Sequence, residues 1–336
     1  MDLKTNYLGI ELKNPIVLGA SNLVNNLDNV KRAEASGVAA IVYKSLFEEQ
    51  IQLERAQLDD QLEEYAERGA EMTSIFPNIE HAGPEEHLFN LARVKQNVKI
   101  PVIASLNAIL KESWIDYAQQ MEKTGVDAIE INFFYVPKKS DLDGHLVVQE
   151  QVEILKAIKS SVKIPVSVKL SPFYANPLHI ISMLEKAGAN GFVLLNRLFQ
   201  PDIDIEKESH LASLTLSSPD DHRLPLRFAG LLYGNVKASI CSNTGIYTGA
   251  DVVKMILAGA DCVQVVSTLY KNKIEYVSTM LEDITAWMEK KSYKSIKDFQ
   301  GKLSHKNTND PFVYKRAQYI DLLLKSDDIF KKYPVL

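Results

Sequence analysis

Two lysines interrupt apolar runs in this sequence of 336 residues. Lys169 lies inside Val166-Ser167-Val168-Lys169-Leu170, ahead of Ser171-Pro172, and Lys44 follows Ala39-Ala40-Ile41-Val42-Tyr43. An ammonium buried without a partner is costly, so Lys169 must meet an anion or a polar ligand. Three amides stand at similar points: Asn107, Asn132 and Asn196 each follow a short apolar run. Such an Asn either caps a turn or faces a ligand. Residues 239–270 carry a different chemistry. Ser239-Ile240-Cys241-Ser242 is a short apolar run, and Asn243 to Gly249 breaks it with turn formers. Ala250 to Leu257 has apolar residues at helical spacing, and Asp261 to Val266 is a second apolar run closed by Ser267-Thr268. Glycine lets backbone N–H groups approach an anion, and a helix N-terminus adds partial positive charge. Two such strand ends make a cradle for a phosphate.

These residues need a scaffold that gathers strand ends on one face. The pattern predicts strands at 14–21, 39–43, 102–106, 128–132, 166–170 and 191–195, followed by the two of residues 239–266. Helices are predicted between them at 27–36, 86–96, 114–124, 148–160 and 178–187, with a closing helix at 274–290. Ala-Ser-Gly-Val-Ala-Ala, Lys-Thr-Gly-Val-Asp-Ala, Lys-Ala-Gly-Ala-Asn-Gly and Leu-Ala-Gly-Ala-Asp-Cys precede four of the strands. Each reads as a helix end, a glycine cap and a strand start. That rhythm predicts an α/β fold, a (β/α)8 TIM barrel over residues 1–290, with a C-terminal helical extension at 291–336 packed on it. A doubly wound open sheet is the alternative, but no Gly-x-Gly-x-x-Gly follows the first strand. In a (β/α)8 barrel the chemistry sits at the C-terminal strand ends, and the loops after strands seven and eight hold phosphate. Two βα loops are long insertions, from Glu48 to about Glu86 and from Arg197 to about Phe228. Glu48 to Gly69 has Glu, Gln and Leu at helical spacing and reads as a solvated helix. Asp202, Asp204, Glu206 and Asp220-Asp221-His222 match no metal-ligand spacing, so the second insertion reads as a polar lid and no metal is expected.

Bulk properties narrow the function classes. Hydrophobic content of 46% and charged content of 24% suit a chain that buries a full core. A net charge of −5 gives no electrostatic case for nucleic acid or an anionic membrane. The two cysteines, Cys241 and Cys262, fall in expected buried strands; they cannot ligate an iron–sulfur cluster and form no disulfide framework. The start MDLKTNYLGIELKNP has no long apolar run, so a cytoplasmic protein without signal peptide or membrane anchor is expected.

Taken in order, Asn14-Pro15, Ala20-Ser21, Tyr43-Lys44-Ser45, Glu130-Ile131-Asn132, Val168-Lys169-Leu170-Ser171-Pro172, Asn196, Asn243-Thr244-Gly245-Ile246 and Ser267-Thr268 resemble the dihydroorotate dehydrogenases, in particular the soluble class 1 type. The resemblance covers roughly residues 3–290, and the Lys-Leu-Ser-Pro strand and the terminal phosphate loops are its most specific parts. It implies a barrel that binds FMN at its mouth. Gly245, Ile246, Ser267 and Thr268 would hold the flavin phosphate, and Lys169 would face the N1/O2 edge of the ring. Ala20, Ser21, Asn107 and Asn132 would line the ring, while Lys44 and Asn196 would contact both flavin and substrate. The implied reaction is hydride transfer between flavin N5 and a CH–CH or C=C bond of a small, pyrimidine-like substrate. A separate electron acceptor or partner subunit and a homodimer are implied as well.

The substrate half of the family pattern departs from this. Class 1 enzymes carry Asn-x-Ser-Cys-Pro-Asn after the fourth strand, with Cys as the base, and this chain reads Asn132-Phe133-Phe134-Tyr135-Val136-Pro137. Tyr135 is the one titratable side chain near the Cys position, and an unperturbed phenol is a poor base. The family's Asn-Ser-Met-Gly-Leu-Pro-Asn loop has only Thr73-Ser74-Ile75-Phe76-Pro77-Asn78 as a counterpart. Ser171 reads as turn chemistry, and His81 and His145 as surface histidines. Two other functions stay open: a flavin-binding protein without this catalysis, and a phosphate-binding aldolase or synthase with Lys169 or Lys44 as Schiff-base amine.

Overall fold

The computed structural model describes residues 1–48, 84–134, 143–197, 202–211, 215–325 and 331. Strand Thr5–Tyr7 (β1) turns at Leu8-Gly9 into Ile10–Leu12 (β2), and this antiparallel hairpin precedes the barrel. Eight parallel strands then close on themselves: β3 (Ile16–Leu18), β4 (Ala40–Phe47), β5 (Val102–Asn107), β6 (Ala128–Asn132), β7 (Val166–Leu170), β8 (Gly191–Leu194), β11 (Ser239–Asn243) and β12 (Cys262–Val265), with β12 pairing β3. Between β8 and β11 lies a small hairpin, β9 (Asp202–Asp204) with β10 (Ser209–Leu211). The fold is the expected (β/α)8 barrel.

A helix returns the chain after each strand. In order these are α1 (Leu27–Ala35), α2 (Pro84–Asn97), α3 (Lys111–Lys123), α4 (Gly144–Ser161), α5 (Pro177–Lys186), α6 (Arg223–Leu232), α7 (Gly249–Ala258), a short α8 (Ser267–Asn272) and α9 (Tyr276–Lys290). The four repeated glycines, Gly37, Gly125, Gly188 and Gly259, all have positive φ. They are the left-handed caps that the repeat implied. The repeat also holds acceptors that composition alone does not reveal. Glu34, Glu122 and Glu185, each three residues before such a glycine, accept the paired N–H groups of Lys99 and Ile100, Lys163 and Ile164, and Lys237 and Ala238. Two residues past a glycine, Asp127 and Asn190 accept the first N–H of β5 and β7, and Asp261 accepts the N–H of Ile240, the second residue of β11. Each half-unit is thereby tied to a neighbouring one at the N-terminal end of the barrel.

The barrel is filled rather than open. Val17, Ala40, Val42, Ile103, Ala128, Val193, Cys241 and Cys262 form an inner cluster with Tyr7, Leu8 and Leu12 of the N-terminal hairpin. That hairpin closes the N-terminal end, with Thr5 Oγ1 donating to the Asp261 carbonyl. The sequence pattern missed it because two three-residue strands carry almost no periodicity. It also missed α6 altogether, whose first residues it assigned to the second insertion. Among the described residues no helix is long and apolar enough to cross a membrane. Past α9, Phe299 is buried against Trp287 and Tyr293. The following chain runs through short turns to a helix at Ala317–Leu324 (α10), none of whose residues is buried.

Candidate active site at the barrel mouth

The ends of β11 and β12 build the anion cradle. After Asn243 the backbone passes through the left-handed region at Thr244 (φ 72°) and Gly245 (φ 73°). A Cβ on Gly245 would lie 2.3 Å from the His222 backbone nitrogen and 2.9 Å from the Ser218 carbonyl oxygen, so only glycine fits. Thr248 then caps α7 reciprocally with Asp251. The Asp251 carboxylate accepts from the N–H groups of Tyr247 and Thr248, the Thr248 hydroxyl and Lys254. With those donors spent, the N–H groups of Gly245 and Ile246 have no acceptor among the described residues, and neither do those of Ser267 and Thr268 at the start of α8. Four free donors on two adjoining loops suit an anion. The side chains of Ser267 and Thr268 serve the scaffold. Thr268 Oγ1 donates to the Tyr247 carbonyl at 2.9 Å, joining the two loops, and Ser267 Oγ accepts from the N–H of Ser217 at 3.1 Å. The Tyr247 hydroxyl donates to the Ser217 carbonyl. Ser217 and Tyr247 therefore tie the second insertion to the cradle, a role that tertiary contact alone reveals.

Asp251 offers a local test of this cradle. Burial alone would raise its carboxyl, but bonds from Lys254, Tyr247 and Thr248 outweigh that and hold it below the ordinary 3.8. A depressed carboxyl contributes stability that is present above 3.8 and lost as pH falls through its lower folded value. Asp251→Asn is expected to be less stable than the parent by about 1 kcal/mol near neutral pH, with the gap closing in acid. Urea unfolding at both pH values checks this, and a gap independent of pH contradicts it.

Two strands away from β11 in the closed barrel, Lys169 projects near the end of β7. Its Nζ lies 3.9 Å from Glu130 of β6, whose side chain is 0% exposed against 12% for the lysine. Gln264 of β12 donates to the other Glu130 oxygen at 2.5 Å. Burial pushes the Glu130 carboxyl up, while Lys169 and Gln264 pull it down less strongly. The lysine thus meets its anion, as the cost of burial required. Glu130 and Gln264 were not among the expected site residues, although each is a polar residue in an apolar strand, the same signal that singled out Lys169.

Asn107 and Asn132 end β5 and β6, Asn196 lies just past β8, and all three are buried. Asn196 Nδ2 donates to Asn132 Oδ1 at 2.6 Å, which fixes one edge of both. Asn107 Nδ2 and, in the cradle strand, Asn243 Oδ1 have no partner among the described residues. Such buried orphans call for a ligand group. Ala20 and Ser21 lie half-buried just past β3, with Ser21 Oγ donating to the Gly19 carbonyl.

Lys44 sits where the register of β4 against β5 shifts between Val42 and Ser45. A bulge of this kind re-aims a side chain. Ser45 then shares a hydrogen bond with Ser105, at 2.6 Å, and Lys44 lies near His87 of α2. Burial first, and the Lys44 charge second, push His87 down to about 4. Tyr43, edge-on to His87, is pushed up to about 12 by burial and the nearby Glu86. The Glu48 carboxylate accepts from the N–H groups of Ile109 and Leu110 and from the Ser113 hydroxyl, which orders the loop after β5.

The rim is apolar. Phe47, Ile109, Leu110, Phe134 and Phe173 are exposed around the ends of β4 to β7. Phe133 is buried edge-on against Trp114. Ser171 accepts from the Phe173 N–H in a turn, and His145 is an exposed residue of α4 beside Gln149. Asp204 accepts from the N–H groups of Glu206 and Lys207 in the β9–β10 turn, and Asp221 from Ser218. Tyr135, Thr73 to Asn78 and His81 lie outside the described residues.

The sequence matches the family model described as dihydroorotate dehydrogenase over residues 2–288. It is 30% identical over 311 residues to the dihydroorotate dehydrogenase B (NAD(+)) catalytic subunit of Thermoplasma volcanium, covering 89% of this chain and 98% of that one. The protein of the same name from Caldicellulosiruptor saccharolyticus is 25% identical over 311 residues, covering 90% of this chain and 100% of that one. For the Methanocaldococcus jannaschii protein of that name the identity is 26% over 302 residues, with 86% and 94% covered. Because the match runs from the plugging hairpin to the closing helix and takes in every strand end described above, this chain belongs to the dihydroorotate dehydrogenase family, whose members are flavin-dependent oxidoreductases acting on CH–CH bonds.

Proposed function

We propose that the barrel mouth holds FMN and that this chain transfers a hydride between the flavin and a CH–CH or C=C bond of a small, pyrimidine-like substrate, dihydroorotate being the first to test. The observation that carries this reading is the combination, at one end of the barrel, of four unpartnered N–H groups, on Gly245, Ile246, Ser267 and Thr268, with the strand-end Lys169. The former suit the dianionic phosphate, and the latter suits the electron-rich N1/O2 edge of the ring. The orphaned Asn107 amide, with Asn132, Asn196, Ala20 and Ser21, would line the ring. Lys44 would contact flavin and substrate together. Bound there, FMN would supply the hydride-transferring N5; the chain's share is orientation, exclusion of water and electrostatics.

A proton must also leave the substrate carbon, and Tyr135 stands where the family has its Cys. In this reading Tyr135 accepts that proton as the phenolate, with a lysine such as Lys44 favouring the ionised form. Tyr135→Phe is expected to keep its flavin yet lose about a hundredfold or more of its rate of reduction by dihydroorotate. Stopped-flow bleaching reads this directly. A Tyr135→Phe protein that bleaches at the parental rate removes Tyr135 from the mechanism, and a yellow parent that dihydroorotate never bleaches removes that substrate.

Electrons leave to a separate acceptor or partner subunit. The relatives' names, which call them catalytic subunits of an NAD(+) enzyme, support this, as does the absence of an N-terminal Gly-x-Gly-x-x-Gly and of enough cysteines for a cluster. A homodimer completes the proposal. Light scattering on the purified chain tests it, and a monomer mass would remove it.

A further inference from the structure

Beneath the mouth, a carboxylate faces a lysine without hydrogen-bonding to it. In the register of β6 against β7, Asn132 is level with Lys169 and Glu130 is level with Ser167, two residues deeper. Glu130 Oε2 accepts from Gln264 at 2.5 Å. Its Oε1 has no hydrogen-bond partner among the described residues and lies 3.9 Å from Lys169 Nζ. The other titratable groups that act on one another here are Tyr7 from the hairpin, the thiols Cys241 and Cys262, and Asp261 beside Cys262. Burial favours the neutral form of Tyr7 and of Cys262. Among the described residues at this depth, the one cation facing Glu130 is Lys169.

We propose that Glu130 is a positioning residue for Lys169: its carboxylate holds the ammonium at the barrel mouth and offsets its charge, and so sets how easily the bound flavin is reduced. The inference rests on the FMN reading. A pair at 3.9 Å, shielded from water, interacts far more strongly than it would at the surface. Both members lie on rigid strands, so the offset is fixed in place. Glu130→Gln keeps the shape of the side chain while removing its charge. Lys169 then acts on the flavin edge uncompensated and favours the reduced, anionic ring. Without Lys169, the buried Glu130 takes up a proton and carries no charge to remove. Its effect on the flavin should therefore vanish in a Lys169→Met background, an outcome that a merely structural Glu130 would not produce.

The experiment equilibrates the FMN-loaded full chain with a reference dye, for the parent, Glu130→Gln, Lys169→Met and the double variant. Glu130→Gln is expected to shift the two-electron equilibrium at least tenfold toward reduced flavin, about 30 mV. Against Lys169→Met the same change should shift it less than twofold. A parent that takes up no FMN defeats the FMN reading itself. A parent that holds FMN while Glu130→Gln leaves its equilibrium unmoved, or moves it equally in both backgrounds, overturns the role of Glu130. Should Glu130→Gln fail to fold, infrared difference spectra of the flavin-free parent and Lys169→Met decide. A protonated carboxyl band that appears only in Lys169→Met supports the pair, and its absence overturns it.

Discussion

Lys169→Met should lose stability as pH rises, and the Glu130→Gln, Lys169→Met double variant should not. Glu130 is completely buried, and burial already pushes its carboxyl above the ordinary 4.5 while Lys169 pulls it back. Removing the lysine raises it further. A group whose folded value lies above its unfolded one contributes stability that is fully present below the unfolded value and lost as pH climbs through the folded value. From 4.5 upward, Lys169→Met should therefore lose about 1.4 kcal/mol per pH unit until the folded value is passed. Near neutral pH the deficit should reach about 3 kcal/mol, the usual cost of stripping one partner from a buried pair. Chemical unfolding across this range measures it. A deficit independent of pH, or one retained in the double variant, would mean that the pair at 3.9 Å carries no electrostatic coupling. The same substitution should leave any bound flavin harder to reduce, because no cation then faces the electron-rich ring edge.

Gly245→Ala should be the most damaging single change in the cradle. At φ 73° a side chain costs about 1–2 kcal/mol in backbone strain alone. The added methyl would also sit 2.3 Å from the His222 backbone nitrogen. Relief requires the turn Pro219–His222 to move. That turn follows Ser217, which is bonded to Ser267 at 2.8 Å, so the second pair of N–H donors moves with it. FMN affinity is expected to fall more than tenfold, with a stability loss of at least about 2 kcal/mol. Fluorescence titration of free flavin reads the first and thermal unfolding the second. Parental affinity in Gly245→Ala would exclude the cradle as the phosphate site.

The barrel was legible because its half-units repeat. Four Gly-containing phrases marked four helix ends, and all four glycines adopt the positive φ that such caps require. Lys169 was legible for a different reason: a charge inside an apolar strand demands a partner, and Glu130 supplies it. The same rule would have pointed to Glu130 and Gln264, both polar within apolar runs. What the sequence could not convey was partnership across the fold. Nothing local ties Ser217 to Ser267, or predicts that the Thr268 hydroxyl is spent on Tyr247 while its N–H stays free. The register shift at Lys44 is likewise a property of β4 paired with β5 rather than of the Tyr43-Lys44 dipeptide.

Whether this barrel mouth holds FMN is read from the absorbance spectrum of the full chain, incubated with FMN and then freed of unbound flavin. A yellow protein carrying about one flavin per chain is expected, with the bands of the oxidised ring that does the redox chemistry, and a spectrum that bleaches on anaerobic addition of dihydroorotate. A chain that emerges colourless would rule out FMN at this mouth, and the cradle and Lys169 would then have to serve a phosphorylated substrate instead.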